Sequence, residues 1–414
     1  MIDSVVSKPL GSAAPTETML VVNAGSSSFK FALFGVGNSA DGLRPICKGH
    51  LARVADQDEW RVDDAEGTVS EQSQQSAGGA AFDHDAAAAR VFDWIDVQRS
   101  VYTLVAVGHR VVHGGSGYAA PVRATEAVLC DLAALAPWAP LHQPHNLAPI
   151  RAAALRWPSV TQVACFDTAF HHTQPTVAQA MALPHDITEA GVRRYGFHGL
   201  SFESVAGQLT RVLERRSTAA AGHGKVIVAH LGHGASLCAM ADGQSVASTM
   251  GFSVLDGLVM GTRCGTLDAG VVLYLLQHVG MTAQQVSDML YGQSGLLGVS
   301  GISGDMAVLL ASTDPRAVQA IDLFVYRAVC EIGAMAAALG GVDALVFTAG
   351  IGEHAAGIRA RIVAGCAWLG AVLDDSANDI DLELIHAPTS TVQLAVVATD
   401  EEFVIAAHTL HCLR

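Results

Sequence analysis

The segment Asn23-Ala-Gly-Ser-Ser-Ser-Phe-Lys30 has a composition suited to phosphate. A glycine turn exposes backbone N–H groups that can point at phosphate oxygens. Ser26 and Ser28 add hydroxyl donors, and Lys30 adds a charge. An ordinary Gly/Ser hairpin turn reads equally well from these residues alone. In Gly108-His-Arg-Val-Val-His-Gly-Gly115, Arg110 is expected just past a strand end, where α/β ligand sites form. Its guanidinium fork matches a carboxylate or phosphate in two places, or a structural ion pair. Asp167 closes the buried run Thr161–Phe166. A carboxylate there can bind Mg²⁺, which takes one or two carboxylates plus substrate phosphates, or it can cap the next segment.

Three further turns carry candidates. Arg193-Arg-Tyr-Gly-Phe-His-Gly199 holds His198 between glycines, and Met260-Gly-Thr-Arg-Cys-Gly265 holds Arg263. Gly350-Ile351-Gly352 follows a strand and opens a helix, so its amides suit an anion or a nucleotide. Thr399-Asp-Glu-Glu-Phe403 opens the last helix, and Thr399 with Glu402 fits a capping box. That accounts for Glu402 and leaves Glu401 as the better metal candidate. His142 with His145, and His230 with His233, have H-x-x-H spacing. Zinc could use such pairs with a carboxylate as third ligand. Neither pair lies on an evident helix, which favours hydrogen-bonded loop histidines.

The elements that must position these residues alternate between strand and helix, so the expected class is α/β. Structure is expected from Met19, after a short disordered tail over 1–18. Strands are expected over 19–24, 29–34, 103–108, 161–166, 225–230, 235–240 and 344–347. Helices are expected near 84–98, 123–136, 145–157, 199–214, 267–279, 282–291, 314–339 and 354–368. The polar stretch 63–81 reads as a loop with weak strand pairing. LVVNAGSSSFKFALF (20–34) and VIVAHLGHGASLCAM (226–240) share one form: apolar strand, tight Gly/Ser turn, apolar strand. They lie about half the chain apart, which suggests a duplicated domain with one phosphate-type hairpin per copy.

The chain has 414 residues, long for one core, so two domains are expected. With 50% hydrophobic and 15% charged residues it is no disordered chain. A net charge of −15 argues against general nucleic-acid binding. Eight cysteines without a C-x-x-C pair read as reduced thiols of a cytoplasmic protein. No run of about 18 apolar residues suggests a membrane span, and residues 1–17 lack a signal-peptide pattern.

NAGSSSFKF, GHRVVHGG, APLHQPHN, FDTAFHHT, RRYGFHG, HLGHG, MGTRCG, GVSGISGDM, FTAGIGE and TDEE occur in this order from about Leu20 to Phe403. Together they resemble the acetokinase family, in the actin/hexokinase/Hsp70-like superfamily. The resemblance implies a duplicated RNase H-like (actin-like ATPase) fold with a cleft between two domains. These would span 19–168, with helix 403–414 packing on it, and 169–402, which would bind nucleotide. It implies a homodimeric kinase that makes acetyl phosphate and ADP from acetate and ATP, reversibly, with Mg²⁺ (Mn²⁺ as substitute). By motif match, Asp167, Arg110, Arg263, His198 and His142 take catalytic positions. Arg110, Val112, Leu141 and Phe197 take the acyl-substrate positions. Nucleotide positions fall on Asn23, Ser26, Ser28, Lys30, His230, Gly232, His233, Gly234, Asp305, Met306, Ala307, Gly350, Ile351, Gly352 and His354. Asn23, Asp167 and Glu401 fall on the metal site.

The chain departs from the family pattern in places. His233 and His354 replace asparagines, and Ala307 stands where an arginine is common; these bear on nucleotide affinity and base choice. Val254 replaces a proline of the acyl pocket and bears on acyl length. Asp400 stands where asparagine is common. The chemistry fits the residues in its own right, because phosphoryl transfer between anions is mostly positioning and charge neutralisation. The rival readings are a propionate or butyrate kinase of the same fold, a zinc hydrolase on the H-x-x-H pairs, and an idle nucleotide-binding protein.

Overall fold

The computed structural model describes residues 16–25, 28–37, 42–54, 57–76, 82–213 and 224–414. The chain divides into two compact units, residues 1–169 with 400–414, and residues 170–399.

The first unit is built on strands β1 (Thr16–Ala24), β2 (Ser28–Val36), β3 (Leu43–Val54), β4 (Gln57–Asp64), β5 (Val69–Ser76), β6 (Tyr102–Val111), β7 (Val122–Arg123) and β8 (Thr161–Phe166). They form one sheet in the order β5-β4-β3-β2-β1-β6-β8-β7. The second unit carries β9 (Lys225–Leu231), β10 (Ala235–Ala241), β11 (Gln244–Ser248), β12 (Ala344–Thr348) and β13 (Gln393–Val396), in the order β11-β10-β9-β12-β13.

Within the larger sheet, β3-β2-β1-β6-β8 repeats the pattern of the smaller one. Three strands meander antiparallel and two more follow in parallel on the far side of the first. The hairpins β1–β2 and β9–β10 are the two similar sequence segments, in equivalent places. The fold is therefore an internal duplication. In each copy the parallel strands β1/β6/β8 and β9/β12/β13 are buried along nearly their whole length, as strands covered on both faces are.

Each sheet is sealed by helices. In the first unit Val91, Phe92, Trp94 and Ile95 of helix His84–Gln98 pack against Leu20, Val22, Phe29, Phe31, Trp60 and Val107. The opposite face takes helix Glu401–Leu413, which packs on β1, β6 and β8. Gly108 of β6 allows this approach, because a β-carbon there would sit 2.2 Å from Thr409 Oγ1. In the second unit Phe202, Val205 and Leu209 of helix Gly199–Val212 cover Val226, Val228, Met240 and Val346. Each large apolar side chain buried this way contributes about 1.5–3 kcal/mol.

Several expectations are corrected. The first strand begins at Thr16, not Met19, because Thr16–Thr18 pair with Tyr102–Leu104; residues 1–15 of the expected tail lie outside the described residues. Within the stretch 63–81, residues 69–76 pair with β4 through one register shift, and Trp60 of β4 is buried under Phe31 and Trp94; residues 77–81 lie outside the described residues. That hairpin is polar on its open face and anchored by one aromatic, which hid its strand character. The segment 123–136 forms helix only over Glu126–Ala134, capped by Thr125. The expected helix 354–368 breaks into Ala349–His354 and Ala356–Gly365.

Candidate active site

In the first unit the C-terminal ends of β1, β6 and β8 lie side by side and present Asn23, Arg110 and Asp167. Arg110 belongs to β6 itself, in register with Cys165 of β8, rather than lying past the strand end. Its Nε donates to Asp167 Oδ1 at 2.9 Å and Nη2 to Oδ2 at 2.6 Å, while Nη1 reaches Asn23 Oδ1 at 3.2 Å. Asp167 is buried, and its backbone N–H donates to the Val111 carbonyl.

The first turn of helix Glu401–Leu413 completes the cluster. Asn23 Nδ2 donates to Glu401 Oε2 and Glu402 Oε1, each at 3.0 Å. The capping box is a correction here. The N-cap is Asp400, whose side chain accepts from Phe403 N–H, and its other oxygen takes Lys48 Nζ at 2.8 Å. Thr399 does not cap, so Glu402 is freed to face Asn23 beside Glu401. Burial works against a charged guanidinium, yet Asp167, Glu401 and Glu402 together hold Arg110 more firmly protonated than an ordinary arginine.

Around this cluster, Val112 is buried and its N–H donates to Asn146 Oδ1 at 2.9 Å. His142 stands at the N-cap of helix Gln143–Arg156 without a side-chain cap bond, and Leu141 is 48% exposed. Ser28 opens β2 and its carbonyl accepts from Gly25 N–H; Lys30 pairs with Asn23 across the ladder and is exposed. Ser26 lies outside the described residues.

In the second unit the equivalent turn, between β9 and β10, gathers a different set. His230 is buried; its Nδ1 lies 2.8 Å from Ser201 Oγ, and its ring stacks on His198 with centroids 4.2 Å apart. His198 adopts a left-handed backbone, φ 57°, and its Nδ1 meets Ser236 Oγ at 2.9 Å. With Nδ1 so engaged, Nε2 faces Gly234. A β-carbon at Gly234 would lie 2.7 Å from Arg263 Nη2 and 3.1 Å from His198 Nε2. The missing side chain is what lets both groups converge on the turn. Arg263 is steadied by its Nη1, which donates to the Val254 carbonyl at 2.7 Å. Phe197, next to His198, is fully buried.

The remaining nucleotide candidates ring this turn. Gly232 lies against Ala349, at the head of the short helix carrying Gly350, Ile351, Gly352 and His354. Gly350 and His354 are exposed, and Gly352 is buried. His233 lies over Gly261, whose N–H donates to its carbonyl. Burial lowers the His233 pKa, and Arg263 lowers it further against the opposing pull of Asp305. Asp305 spends one carboxylate oxygen on the amides of Ala307 and Val308, capping the helix that begins at the buried Met306.

Sequence reading missed several partners. Glu353 Oε1 accepts from Ala349 N–H at 2.8 Å, and the buried Arg359 donates to the carbonyls of Gly352 and Glu353. Ser201, Ser236 and Asn146 orient the groups above. Glu353 and Asn146 lay inside quoted motifs, FTAGIGE and APLHQPHN; Ser201, Ser236 and Arg359 are set by contacts between distant segments. The H-x-x-H pairs form no zinc site. His145 stacks on His84 and His230 on His198, and among the described residues no three His, Cys, Asp or Glu side chains are grouped to hold a metal.

Residues 18–407 match the model of the acetokinase family. The chain is 51% identical over 395 residues to an acetate kinase of Rhodopseudomonas palustris (strain TIE-1), covering 95% of this chain and 98% of that protein. It is 47% identical to an acetate kinase of Methylocella silvestris, with 95% and 98% covered. Among solved structures it superposes on a propionate kinase from Francisella tularensis with a TM-score of 0.84, 33% identity, and 95% and 99% of the two chains covered. For Porphyromonas gingivalis acetate kinase the TM-score is 0.80, at 32% identity and 96% and 100% coverage. The fold is that of the actin-like ATPases, and the chain belongs to the acetokinase family.

Proposed function

We propose that this protein transfers the γ-phosphoryl group of ATP to the carboxylate of acetate, reversibly, giving acetyl phosphate and ADP. The observation that carries the reading is the convergence of Arg263 and His198 on Gly234, which has no side chain to keep a phosphate away. An arginine and an imidazole there supply donors to phosphoryl oxygens. Arg110 supplies a second guanidinium in the other unit. Acetate is ionised near pH 7, so the attacking oxygen needs no general base, and catalysis reduces to positioning and charge neutralisation.

The cluster around Asn23 fits a hard dication. Its donors are oxygens, and Mg²⁺ takes one or two protein carboxylates beside substrate phosphates rather than a full protein cage. Asp167 and Glu401, with Asn23 and Glu402 beside them, would hold Mg²⁺, or Mn²⁺ in its place. Bound there, the ion would shield the β- and γ-phosphate charge. Val112, Leu141 and Phe197 are assigned to the acyl group, His198 to the transferring phosphoryl, and His142 to the catalytic set. We assign the nucleotide to His230, Gly232, His233, Gly234, Asp305, Met306, Ala307 and Gly350–Gly352 with His354. We read the two compact units as the two domains, which moves the expected end of the second from 402 to 399 and puts Asp400, Glu401 and Glu402 with the last helix in the first.

A homodimer is supported by apolar side chains left open on the segment 269–279, where Leu273 is 53%, Tyr274 57% and Val279 52% exposed. All eight cysteines are free thiols, which supports a cytoplasmic setting. Among the described residues no helix is long and apolar enough to cross a membrane.

The test is a hydroxylamine-trapping assay for acyl phosphate with ATP, Mg²⁺ and a series of short carboxylates. ATP-dependent hydroxamate from acetate supports the proposal. Its absence with every carboxylate overturns it.

A further inference from the structure

The turn that follows Asn23 is held from outside by side chains on two different helices. Asn146, buried on helix Gln143–Arg156, donates from Nδ2 to the Ala24 carbonyl at 3.1 Å while its Oδ1 accepts from Val112 N–H. His84, buried at the start of helix His84–Gln98, takes the next carbonyl: its Nε2 lies 2.7 Å from Gly25 O. A carbonyl can only accept, so Nε2 is the protonated nitrogen whenever this bond is made. The His84 ring lies against His145, centroids 4.5 Å apart and 23° from parallel, with Phe82 edge-on at 4.9 Å. His145 is the chain neighbour of Asn146. Two consecutive carbonyls of one turn are thus fixed by two helices, and a ring stack ties those helices together.

We propose that His84, seated against His145, is a positioning residue for phosphoryl transfer: it fixes the Gly25 carbonyl, and through it the Asn23 side chain that bridges Arg110 to Glu401 and Glu402. The inference rests on reading that cluster as the active site. His84 makes its bond two residues beyond Asn23 and touches none of the charged groups, so it acts only through the turn. Asn23 spends its amide oxygen on Arg110 and its amide nitrogen on both glutamates. Small shifts of its backbone therefore move three charged groups at once. A misplacement of about 1 Å at reacting groups can cost roughly 10²-fold in rate.

The experiment compares His84→Phe, which keeps a ring but loses the donor, with His84→Gln, which restores a donor near the place of Nε2. Wild type and variants are assayed by hydroxylamine trapping at saturating ATP and Mg²⁺, with acetate KM and thermal melts. His84→Phe is expected to lose about tenfold or more in kcat with acetate KM within about twofold of wild type, and His84→Gln to recover most of the loss. A folded His84→Phe with wild-type kcat, or a Gln variant as impaired as the Phe variant, overturns the inference. If His84→Phe does not fold, His145→Ala carries the test: a fall in kcat of about threefold or more supports the inference, and no fall overturns it. A wild-type protein that makes no acyl phosphate overturns the proposed function and this inference with it. An active wild type with indifferent His84 variants overturns the inference alone.

Discussion

Arg110 grips Asp167 through two nitrogens on a carboxylate that is nearly sealed from solvent, its side chain only 2% exposed. The pair is a stability element and, in the proposed mechanism, catalytic equipment. Arg110→Ala is expected to cost about 10³–10⁵ in turnover, as loss of a phosphoryl-stabilising arginine does. It should also destabilise the fold by about 3–5 kcal/mol, because Asp167 is left buried and uncompensated. Arg263 is half-buried, and its Nη1 bond is to a backbone carbonyl rather than to a buried carboxylate. Arg263→Ala should lose comparable activity with a smaller drop in Tm. Assays beside thermal melts check both, and near-wild-type turnover in either variant would remove that arginine from the mechanism.

Glu401 and Glu402 share the Asn23 amide, so neither is merely a helix cap. Alanine at either position is expected to raise the Mg²⁺ concentration needed for half-maximal activity. Asp400→Ala should instead cost about 1 kcal/mol of stability, since Asp400 is the residue that caps the helix. Mg²⁺ titrations set against melts separate the two effects. A Glu402→Ala enzyme with an unchanged Mg²⁺ requirement would return Glu402 to a structural role.

Val254 is nearly buried, and its carbonyl steadies Arg263. Valine lacks proline's fixed φ, so the local backbone has more freedom to admit a longer acyl chain. One methylene in an apolar pocket is worth about 1–3 kcal/mol of discrimination. Val254→Pro should therefore raise the acetate-to-propionate ratio of kcat/KM. An unchanged ratio would mean that position 254 does not set acyl length.

His233 is held neutral by burial and by Arg263, against Asp305, so its pKa lies below the usual 6.5. Bound nucleotide phosphate favours the charged imidazole and raises that pKa. A group protonated more readily in the complex binds ligand more tightly as pH falls. The rise begins near the pKa of the complex and ends below that of the free protein. ATP affinity is therefore expected to climb as pH drops through and below about 6.5. Without nucleotide the sign for stability is the reverse: the contribution of His233 is present above 6.5 and is lost as pH falls toward its lowered pKa. Calorimetric titrations of ATP at several pH values check this in wild type, His233→Asn and His354→Asn. A His233→Asn profile identical to wild type would exclude His233.

The duplicated hairpins were legible because a strand–turn–strand with buried faces is written in local composition, as in 20–34 and 226–240. The side chains at the strand ends, Asn23, Arg110 and Asp167, could be picked out because chemistry-bearing types at the ends of apolar runs are conspicuous. Glu402 was misread because a capping box is a local pattern, and here a neighbouring residue, Asp400, satisfied the helix end first. Arg359, Ser201 and Ser236 were invisible because their roles come from partners that no spacing rule links to them. The β4–β5 hairpin was hidden by polarity, since its strands face the core through little more than Trp60 and Val62.

The helix carrying Glu401 and Glu402 belongs to the first unit, although 230 residues of the second unit intervene in the chain (170–399). This has a consequence for biosynthesis. Ribosomes add about 5–20 residues per second, so the first sheet waits roughly 10–50 s for its last layer. During that interval the surface that will bury Val404, Ile405, Ala406 and Leu410 is bare, and the notch at Gly108 is unfilled. A nascent chain stopped anywhere in the second unit therefore has neither a closed first core nor its paired glutamates. Completion of folding and onset of catalysis fall at the same late moment of translation.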